Sequence, residues 1–422
     1  MHHMDDQKYD IIVIGGGPSG MMAAGRAGEV GAKVLILEKN NRLGKKLSIT
    51  GGRRCNITNA EFDNDIFIEN FKDAKPFLEL PLSKFSVRNT FDFFEGRGLP
   101  LMVEARKRAF PQSEKAEDVC KVLIDYIEES GNVNVKLNAE VVSLVMEDKK
   151  LVGVTTTSGT FHADKIILAT GGLAAPDTGS TGEGLSMLSS IGHTVKDPDP
   201  SLVPLKSPTK WVHDLTGTTV DNVTLKFVQN DEVMHEVRGR ILFTHFGISG
   251  PTVINAARIA KDLLKGGPIS ASIDLYPDRT FKMLDGMVRA ILDRNQKKLL
   301  KGIMKELVQS KLGDTVIGLM EPGVGELKVS SVSKAQRHTL VRILKDLNFP
   351  ITDTKGFAYS IVADGGVIPE EVDFESMTSK LFPNLYLIGD TININRPSGG
   401  FSLQLCWMSG WIAGTHAASR NM

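Results

Sequence analysis

The feature that most constrains the fold is the segment YDIIVIGGGPSGMMAAGRAGEVGAKVLILEKN, residues 9–40. Its apolar run over 11–14 is short and continuous, as expected of a buried parallel strand. Gly15, Gly17 and Gly20 follow with the spacing GxGxxG. This spacing permits a tight turn, the close approach of a pyrophosphate and close packing of a helix on the strand. The segment therefore predicts a βαβ unit that binds a dinucleotide.

The elements that follow the motif extend this prediction. A helix over 19–30, entered through Pro18 and Ser19, would point its positive N-terminal end at the phosphates. A second strand over 33–37 ends in Glu38, 18 residues after the last glycine of the motif, where a carboxylate can bind ribose hydroxyls. Because no arginine stands beside this position, we expect an unphosphorylated ribose, as in FAD or NAD.

The next stretch, KNNRLGKKLSITGGRRCNITN, favours FAD over NAD. A cofactor with a ribityl chain and a tricyclic ring needs a wall of donors, whereas a solvated basic loop is the alternative interpretation. Cys55 has no nearby partner cysteine, and we interpret it as a small buried residue and not as a redox centre. The candidate FAD-binding residues here are Lys39, Arg42, Lys45, Lys46, Thr50, Gly51, Gly52, Arg54, Cys55 and Asn56.

A central segment over 133–172 is predicted to return to the same cofactor. It reads as several short strands, and its small-residue ATG-like ending is typical of flavoproteins with this fingerprint. Val141 or Val142 is placed to offer backbone groups to the adenine. The ending consists of Ala169, Thr170, Gly171 and Gly172.

A C-terminal segment supplies a third set of candidates. A strand over 385–388 ends in Gly389 and Asp390, and Asp390 is a candidate ligand of the ribityl hydroxyls. A helix that begins near 399–402 would direct its N-terminal dipole at the flavin N1 and C2 carbonyl, where negative charge develops on reduction. The candidate residues of this helix start are Gly399, Gly400, Phe401, Ser402 and Leu403.

Six segments together resemble one known family: GGGPSGMMAA, TGGRRCNITN, ATGGLAAPDTGSTGEG, FTHFGISGP, ADGGV and PSGGFSLQ. The chain resembles, over nearly its whole length, bacterial flavoproteins that include aminoacetone oxidases and bile-acid-type 3-oxo-steroid reductases. The resemblance implies non-covalent FAD and a flavin domain in two parts around an insert. Two departures stand out: Arg53 replaces a common third glycine, and Asn393 and Asn395 stand where acidic residues are common.

The expected fold class is α/β. A Rossmann-like FAD-binding domain would comprise residues 1–200 and 355–422, interrupted by an insert over 201–354. Alternating polar and apolar residues around the turn QND predict antiparallel strands, which we interpret as a small β-barrel subdomain. Helical spacing predicts a second, helical subdomain over about 280–325. Its predicted apolar residues are Met283, Met287, Ile291, Leu299, Leu300, Ile303 and Leu307.

The insert also holds the one candidate for acid–base chemistry. His245, in FTHFGISGP, is a candidate general acid or substrate anchor, and a structural hydrogen-bonding role is the alternative. Ser249 is predicted to cap a helix that starts near Pro251.

Composition gives no reason to expect a nucleic acid or an anionic membrane as a partner. The chain has 50 basic and 50 acidic residues, so its net charge favours neither nucleic acid nor an anionic membrane. The helical subdomain carries Lys297, Lys298, Lys301, Lys305 and Lys311, which we interpret as a solvated face because no aromatic residues interleave. Nucleic acid is therefore not expected as a partner.

Cysteine usage and hydropathy indicate the compartment. The three cysteines show neither CxxC nor metal-ligand spacing, so neither a disulfide nor a metal site is predicted. No apolar run approaches the roughly 18 residues of a membrane span, and the first residues show no apolar signal segment. A cytoplasmic protein is expected, while the sequence does not determine its oligomeric state.

The resulting expectation is an FAD-dependent oxidoreductase that transfers hydride between the flavin and a small-molecule substrate. One subclass reduces an activated C=C bond at the expense of NADH or NADPH, which would bind transiently because no second GxGxxG follows a strand. The other oxidises a small amine. A flavin-binding RNA-associated protein and a redox sensor without turnover are the alternatives from other classes.

Overall fold

The computed structural model describes residues 8–148 and 150–419, apart from the side chain of Lys72. The expectation about an N-terminal signal segment falls mainly on residues outside this range. The described chain forms two compact units: residues up to Pro200 with those from Ser360 onward, and residues Ser201–Tyr359. The sequence places the return to the first unit at residue 355, whereas the contacts place it at Ser360.

The strands are numbered in chain order. They are β1 (Tyr9–Ile14), β2 (Val34–Leu37), β3 (Thr58–Asn59), β4 (Leu101–Glu104), β5 (Arg108–Pro111), β6 (Val133–Lys136), β7 (Val141–Glu147), β8 (Lys150–Thr156), β9 (Gly159–Leu168), β10 (Val195–Ser201), β11 (Leu205–Lys206), β12 (Thr219–Gln229), β13 (Glu232–Thr244), β14 (Gly247–Ser249), β15 (Ile269–Asp274), β16 (Leu347–Ile351), β17 (Asp353–Thr354), β18 (Val362–Val367), β19 (Val372–Asp373), β20 (Thr378–Ser379) and β21 (Leu385–Leu387).

The α-helices are numbered in the same way. They are α1 (Pro18–Val30), α2 (Thr50–Arg53, a single turn), α3 (Asn64–Ile68), α4 (Lys75–Lys84), α5 (Val87–Gly96), α6 (Ala116–Glu129), α7 (Glu183–Ser190), α8 (Lys210–Asp214), α9 (Pro251–Gly266), α10 (Phe281–Arg294), α11 (Leu300–Ile303), α12 (Ser310–Gly318), α13 (Lys334–Lys345) and α14 (Phe401–Ala418).

The main sheet of the first unit has five parallel strands in the order β6, β2, β1, β9, β21. β1 lies between β2 and β9, with Ile14 opposite Leu37 on one side and Leu168 on the other. The chain order reverses at β1, and in open α/β sheets a ligand binds outside the carboxyl ends of the strands at such a point. This arrangement confirms the predicted Rossmann-type α/β fold. Antiparallel strands β20 and β19 extend the sheet beyond its β21 edge, whereas β7 and β8 form an antiparallel arrangement with the first part of β9.

Two helices from opposite ends of the chain, α1 and α14, pack against each other beneath this crevice. A Cβ atom on Gly410 would lie 2.5 Å from the backbone oxygen of Ser19, and one on Gly414 would lie 2.4 Å from that of Ala23. These distances leave no room for a side chain, so the two glycines permit the close approach of the helices. The approach fixes the C-terminal segment against the start of α1.

The sheet of the second unit is antiparallel, with the order β16, β15, β12, β13, β14, β11, β17. Only Thr352 separates β16 from β17, so one continuous stretch pairs with β15 at its start and with β11 at its end. The sheet thereby closes on itself around a core that includes Phe227, Phe243 and Phe349. The turn predicted at QND joins β12 to β13, with Asn230 and Asp231 at φ 52° and 63°, as two-residue hairpins favour.

The helices of the second unit extend further than predicted, because α13 reaches Lys345, beyond the predicted end near 325. The core of α10 is formed by Leu284, Val288, Ile291 and Leu292. The prediction for Met283 was wrong, since it is 53% exposed.

Two further details of the second unit differ from the sequence prediction. Leu299 is 37% exposed because it lies in an extended segment before α11, not on a helix face. The helix at Pro251 exists, but its N-cap residue is Gly250, without a side-chain cap. Ser249 instead ends β14, where it pairs with Leu242.

Candidate functional site

The three glycines of the motif meet different surroundings at the end of β1. A Cβ atom on Gly15 would lie 2.6 Å from the backbone oxygen of Ala169, and one on Gly20 would lie 2.0 Å from that of Gly15. Gly17, by contrast, faces open space, with nothing within 4 Å of an added Cβ. Gly15 and Gly20 are thus required by packing between protein segments, whereas Gly17 leaves a space that a pyrophosphate can occupy.

The start of α1 opens onto that space. Pro18 is the first helical residue, and Gly17 provides no side-chain cap for the N–H groups of the first turn. Uncapped N–H groups and the helix dipole together attract an anion. Ser19 is buried, and it faces Gly389, whose added Cβ would lie 2.8 Å from Ser19 Oγ.

Glu38 lies at the end of β2 with its side chain oriented by three donors. Its Oε2 accepts a hydrogen bond from the Gly16 N–H at 2.7 Å, and its Oε1 accepts from the backbone and side-chain nitrogens of Asn40, each at 2.7 Å. A carboxylate has about four acceptor positions. One therefore remains for a ribose hydroxyl, and the orientation of the group is fixed beforehand.

The segment beside Glu38 places the predicted adenine neighbours. The Glu38 carbonyl accepts from the Ala139 N–H at 2.9 Å, which sets the start of β7 next to the end of β2. Val141 is buried and Val142 is exposed. These two residues thus begin a strand directly after the contact with Glu38.

The endings of β9 and β21 join the ending of β1 at one edge. The Ala169 N–H donates to the Ile14 carbonyl at 2.9 Å. A Cβ atom on Gly172 would lie 3.3 Å from the backbone oxygen of Asp390. The hydroxyl of Thr170 is buried and has no hydrogen-bond partner among the described residues. An unsatisfied buried hydroxyl at this edge is expected if a ligand normally bonds to it.

The loop TGGRRCN bends sharply, with left-handed backbone at Gly51, Gly52, Arg53 and Cys55 (φ 57°, 70°, 69° and 61°). Arg53 thus adopts the conformation that glycine would tolerate without strain at the position where the resembled family commonly has one. Its side chain is exposed.

The same loop continues into β3, which meets the start of α14. A Cβ atom on Gly400 would lie 2.2 Å from the backbone of Thr58. Asn59 Nδ2 donates to the Gly399 carbonyl at 3.3 Å and to the Arg106 carbonyl at 3.1 Å. The structure therefore brings the loop and the C-terminal glycine pair together, as the predicted flavin site requires.

Most of the charged candidates bind protein groups. These pairs are Lys39 Nζ with Glu183 at 2.6 Å, Arg42 with Ser48 Oγ at 2.5 Å, Lys45 with Asn40 Oδ1 at 2.9 Å, and Arg54 with Glu104 and Glu114, each at 2.5 Å. Thr50 donates to the Leu47 carbonyl at 2.7 Å. The wall of donors in this loop thus consists largely of groups that hold the loop in shape.

Lys46 differs from these cations. Among the described residues its ammonium group makes no hydrogen bond, and the side chain is half-buried. Burial lowers the pKa of Lys46, and the nearby Asp390 carboxylate opposes this effect. A buried cation without a hydrogen-bond partner favours the binding of an anion or a carbonyl oxygen.

Sequence reasoning missed Arg396, which is only 8% exposed. Its Nε donates to Ser402 Oγ at 3.0 Å, its Nη1 to the Ile394 carbonyl and its Nη2 to Asp390 Oδ1. The available signal was an arginine in RPSGG, between the turn at Asp390 that follows β21 and the start of α14. Arg396 connects these two elements.

Three other predicted residues have side chains that do not face open space. Phe401 is buried against Phe67 and Phe71, and Leu403 is also buried. Any contact of theirs with a cofactor would use the backbone. Cys55 is fully buried, and burial raises its pKa to about 12, which agrees with its interpretation as a small buried residue. Asn56 is half-buried beside it.

His245 belongs to the second unit. Its imidazole is exposed and packs edge-on against Phe246, with ring centroids 4.8 Å apart. Its proposed role as a general acid stays a prediction.

A buried histidine in the first unit forms an arrangement that sequence reasoning also missed. His193 Nδ1 lies 2.7 Å from Glu371 Oε2, and its Nε2 lies 3.0 Å from Ser379 Oγ. The Ser379 hydroxyl oxygen also accepts from the N–H groups of Leu381 and Phe382, and Ser379 is 2% exposed. The order resembles an acid–base–nucleophile triad, but the buried, engaged hydroxyl indicates a structural role.

These residues fit FAD. The open space at Gly17, the fixed carboxylate of Glu38, the unsatisfied Thr170 hydroxyl and the unpaired Lys46 lie on segments that meet at one sheet edge. Within the described ranges, no group of His, Cys, Asp or Glu is placed to hold a metal ion. No helix in the described part of the chain is long and apolar enough to cross a membrane.

Comparison with known proteins identifies the family. The family described as HI0933-like protein Rossmann domain matches residues 9–416. A 3-dehydro-bile acid delta(4,6)-reductase of Clostridium scindens is 30% identical over 414 residues, 97% of this chain and 99% of that protein. A ribosomal RNA dihydrouridine synthase of Escherichia coli is 26% identical over 408 residues, 96% of this chain and 97% of that protein.

Solved structures support the fold. The 3-ketosteroid delta1-dehydrogenase of Sterolibacterium denitrificans has a TM-score of 0.55 at 14% identity, over 97% of this chain and 99% of that one. A flavocytochrome c3 fumarate reductase has a TM-score of 0.54 at 17% identity, over 98% and 79% of the two chains. The chain therefore belongs to the HI0933-like family of FAD-binding Rossmann proteins, and it is an FAD-dependent oxidoreductase.

Proposed function

We propose that this enzyme reduces a C=C bond conjugated to a carbonyl group. The observation that carries the proposal is the bond type shared by two relatives that match nearly the whole chain. A 3-oxo steroid with a delta-4 double bond is an enone, and dihydrouridine is uridine whose ring C=C bond, conjugated to a carbonyl, has been reduced. These names favour reduction over the oxidation of a small amine.

Different residues at the sheet edge would bind different parts of FAD. The space at Gly17 and the start of α1 would bind the phosphates, Glu38 the adenosine ribose, Asp390 the ribityl chain and the start of α14 the ring system. Bound FAD supplies two-electron transfer. Reduction of a conjugated C=C bond also needs a proton and a donor to the carbonyl oxygen, and His245 is the candidate for either role.

The electron donor is proposed to be NADH or NADPH, bound transiently. The first experiment is an anaerobic titration of the yellow enzyme with each nucleotide, followed by 4-androstene-3,17-dione. We expect bleaching by one nucleotide and recovery of the oxidised spectrum on addition of the enone. The saturated 3,17-diketone is the matched control and should leave the enzyme reduced.

His245→Ala tests the acid–base role in the same assay. We expect slower reoxidation by the enone with FAD fully retained, whereas His235→Ala, in the same unit, should behave as wild type. Reoxidation at the wild-type rate would leave His245 structural. Reduced enzyme that neither the enone nor RNA reoxidises would contradict the proposed bond type.

A second candidate substrate is a uracil base in RNA, favoured by the segregation of charge. Residues 281–345 contain 13 Lys and Arg but 6 Asp and Glu, although the whole chain is neutral. Lys301 pairs with Glu326 at 2.6 Å, while Lys297, Lys298 and Lys305 are exposed. Together with the name of the Escherichia coli relative, this basic segment argues against treating the lysines only as a solvated face.

Backbone contacts add a further lysine to this surface. The Val329 N–H donates to the Lys298 carbonyl at 2.9 Å, which places Lys328 next to Lys297 and Lys298. Such a cluster would bind RNA phosphates, and each lost phosphate contact reduces the salt slope by about 0.7 to 0.9.

RNA binding is tested by measuring retention of a uridine-rich RNA as a function of salt. We expect Lys297→Ala with Lys298→Ala to weaken retention about tenfold and to reduce the salt slope by roughly 1.5. The same two-charge change at Lys115 and Lys150, both exposed in the first unit, is the control. Wild-type protein that shows no salt-sensitive retention would exclude the RNA candidate and leave the enone proposal standing.

A further inference from the structure

The buried ion pair between Arg396 and Asp390 has a second cation near it, so the group of charges is positive overall. The side chain of Arg396 is 2% exposed and that of Asp390 is 17% exposed. The half-buried ammonium of Lys46 interacts electrostatically with both. Two cations therefore accompany one carboxylate at the edge where the cofactor segments meet.

The guanidinium also has unused donors. It has five N–H bonds, and its bonds to Ser402, Ile394 and Asp390 use three of them among the described residues. These contacts fix the plane of the group, because they engage all three of its nitrogens. Two N–H bonds remain for a ligand, and their directions are set before the ligand binds.

The helix that follows adds to this positive potential. α14 has 18 residues and begins at Phe401, and its N-cap residue, Gly400, supplies no side-chain cap. Ser402, which accepts the bond from Arg396 Nε, lies in the first turn of this helix. The guanidinium is thus tied to the end of the helix where the dipole is positive.

We propose that Arg396 donates from its two remaining N–H bonds to the bound FAD and, together with Lys46, stabilises the negative charge that the cofactor gains on reduction. Asp390 acts as the positioning residue that holds the guanidinium. The inference rests on the FAD site and not on the identity of the substrate. In a site shielded from water, fixed donors aimed at developing charge are far more effective than in solvent.

The proposal predicts that substitutions of Arg396 and of Asp390 shift the reduction potential of the bound FAD in opposite directions. Arg396→Met removes the cation, so the bound FAD should become harder to reduce. Asp390→Asn keeps an acceptor of the same shape but removes the opposing negative charge, so the bound FAD should become easier to reduce. A purely structural ion pair would not separate the two variants in this way.

The measurement is the equilibrium between the FAD-loaded protein and a redox dye of known potential, read from both visible spectra under anaerobic conditions. We expect Arg396→Met to shift this equilibrium at least tenfold toward oxidised FAD, about 30 mV for a two-electron couple. Asp390→Asn should shift it toward reduced FAD. Arg396→Lys, which keeps the charge but loses the fork, should lie between Arg396→Met and wild type.

A matched control exists in the second unit. Arg337 donates to Asp285 through Nε at 2.7 Å and Nη2 at 3.2 Å, and its side chain is 16% exposed. Arg337→Met removes the same kind of ion pair outside the cofactor unit and should leave the potential unchanged.

Equal potentials for Arg396→Met and wild type, with FAD fully bound, would overturn the proposal. If Arg396→Met does not retain FAD, the Asp390→Asn and Arg396→Lys proteins decide the question. An unchanged or lowered potential in Asp390→Asn would then overturn it.

Discussion

Glycine serves different purposes in the paired helices α1 and α14 of the first unit and in helices α10 and α11 of the second. In the first unit, Cβ atoms on Gly20, Gly410 and Gly414 would lie within 2.5 Å of backbone oxygens. In the helices of the second unit, Gly286 and Gly302 have nothing within 4 Å of an added Cβ. The packing of α1 against α14 therefore depends on close backbone approaches, whereas these two positions in α10 and α11 have room for a side chain.

Charge differs between the two units as well. The first unit places its important charges in buried or half-buried positions, as in Glu38, Lys46 and Arg396, where each has a specific effect. In the second unit, most of the basic residues over 281–345 are exposed at the surface. Single substitutions should therefore have large effects in the first unit and small, roughly additive effects in the second.

The largest expected effect is the loss of FAD from Gly17→Val. Gly17 has an extended backbone (φ −79°, ψ −176°), so valine fits the chain conformation and its side chain enters the open space. We expect a folded, colourless protein whose stability falls by only about 1 kcal/mol through a poorer N-cap. The measurement is the visible spectrum of the purified protein alongside its thermal unfolding.

Gly96→Val is the control for that substitution. Gly96 is exposed at the end of α5, and an added Cβ there has nothing within 4 Å. It should retain FAD. A yellow Gly17→Val protein at full occupancy would show that the phosphates do not bind at this glycine.

The next effect in size, after the loss of the cofactor, is a loss of stability in Gly410→Ala. The new methyl group would lie 2.5 Å from the Ser19 backbone oxygen and 3.0 Å from Met22 Cβ, so α14 must move away from α1. Overpacking of this kind costs about 1–3 kcal/mol. Chemical denaturation of the two proteins should show a lower midpoint for the variant, and equal midpoints would mean that the helices can separate without cost.

The same change in the second unit should act in the opposite direction. Gly286 lies within α10, exposed and without left-handed backbone. Alanine there should stabilise the protein by about 0.5–1 kcal/mol, because it reduces the entropy of the unfolded chain. A destabilised Gly286→Ala protein would contradict the contrast between α10 and the paired helices α1 and α14.

The smallest expected effect is a pH dependence from His416. Its Nδ1 lies 3.0 Å from the Tyr386 hydroxyl, and burial lowers its pKa. As the pH falls below about 6.5, the unfolded chain takes up a proton that the native histidine resists, so stability falls. Melting temperatures at neutral and mildly acidic pH should differ less in His416→Gln than in wild type. His235→Gln, in the second unit, is the control, and an unchanged pH dependence in His416→Gln would exclude this contribution.

Much of the fold could be predicted because its signals are local. Residues 9–38 contain a strand, a glycine motif, a helix and an acidic residue, each recognisable from hydrophobic periodicity or turn residues within the segment. The structure has β1, α1 and β2 at these places. The hairpin at Asn230 and Asp231 was predictable for the same reason, since two adjacent residues favour left-handed backbone. Ser249 and Met283 were mispredicted because periodicity alone does not determine which residue ends a strand or which helix face meets the core.

By itself, the sequence determined the dinucleotide motif, the order of the segments that return to it and the type of cofactor. Only the tertiary structure decided which polar side chains remain available to that cofactor. Gln404 illustrates the reason: its Oε1 accepts from Thr58 at 2.7 Å and from Thr90 at 2.8 Å, residues more than 300 positions away. Arg54 and Arg396 both lie in glycine-rich loops. Arg54 pairs with two surface carboxylates, whereas Arg396 is buried and keeps two N–H bonds without a partner among the described residues. That difference depends on which distant segments pack around each side chain, and such packing has no local signal in the sequence.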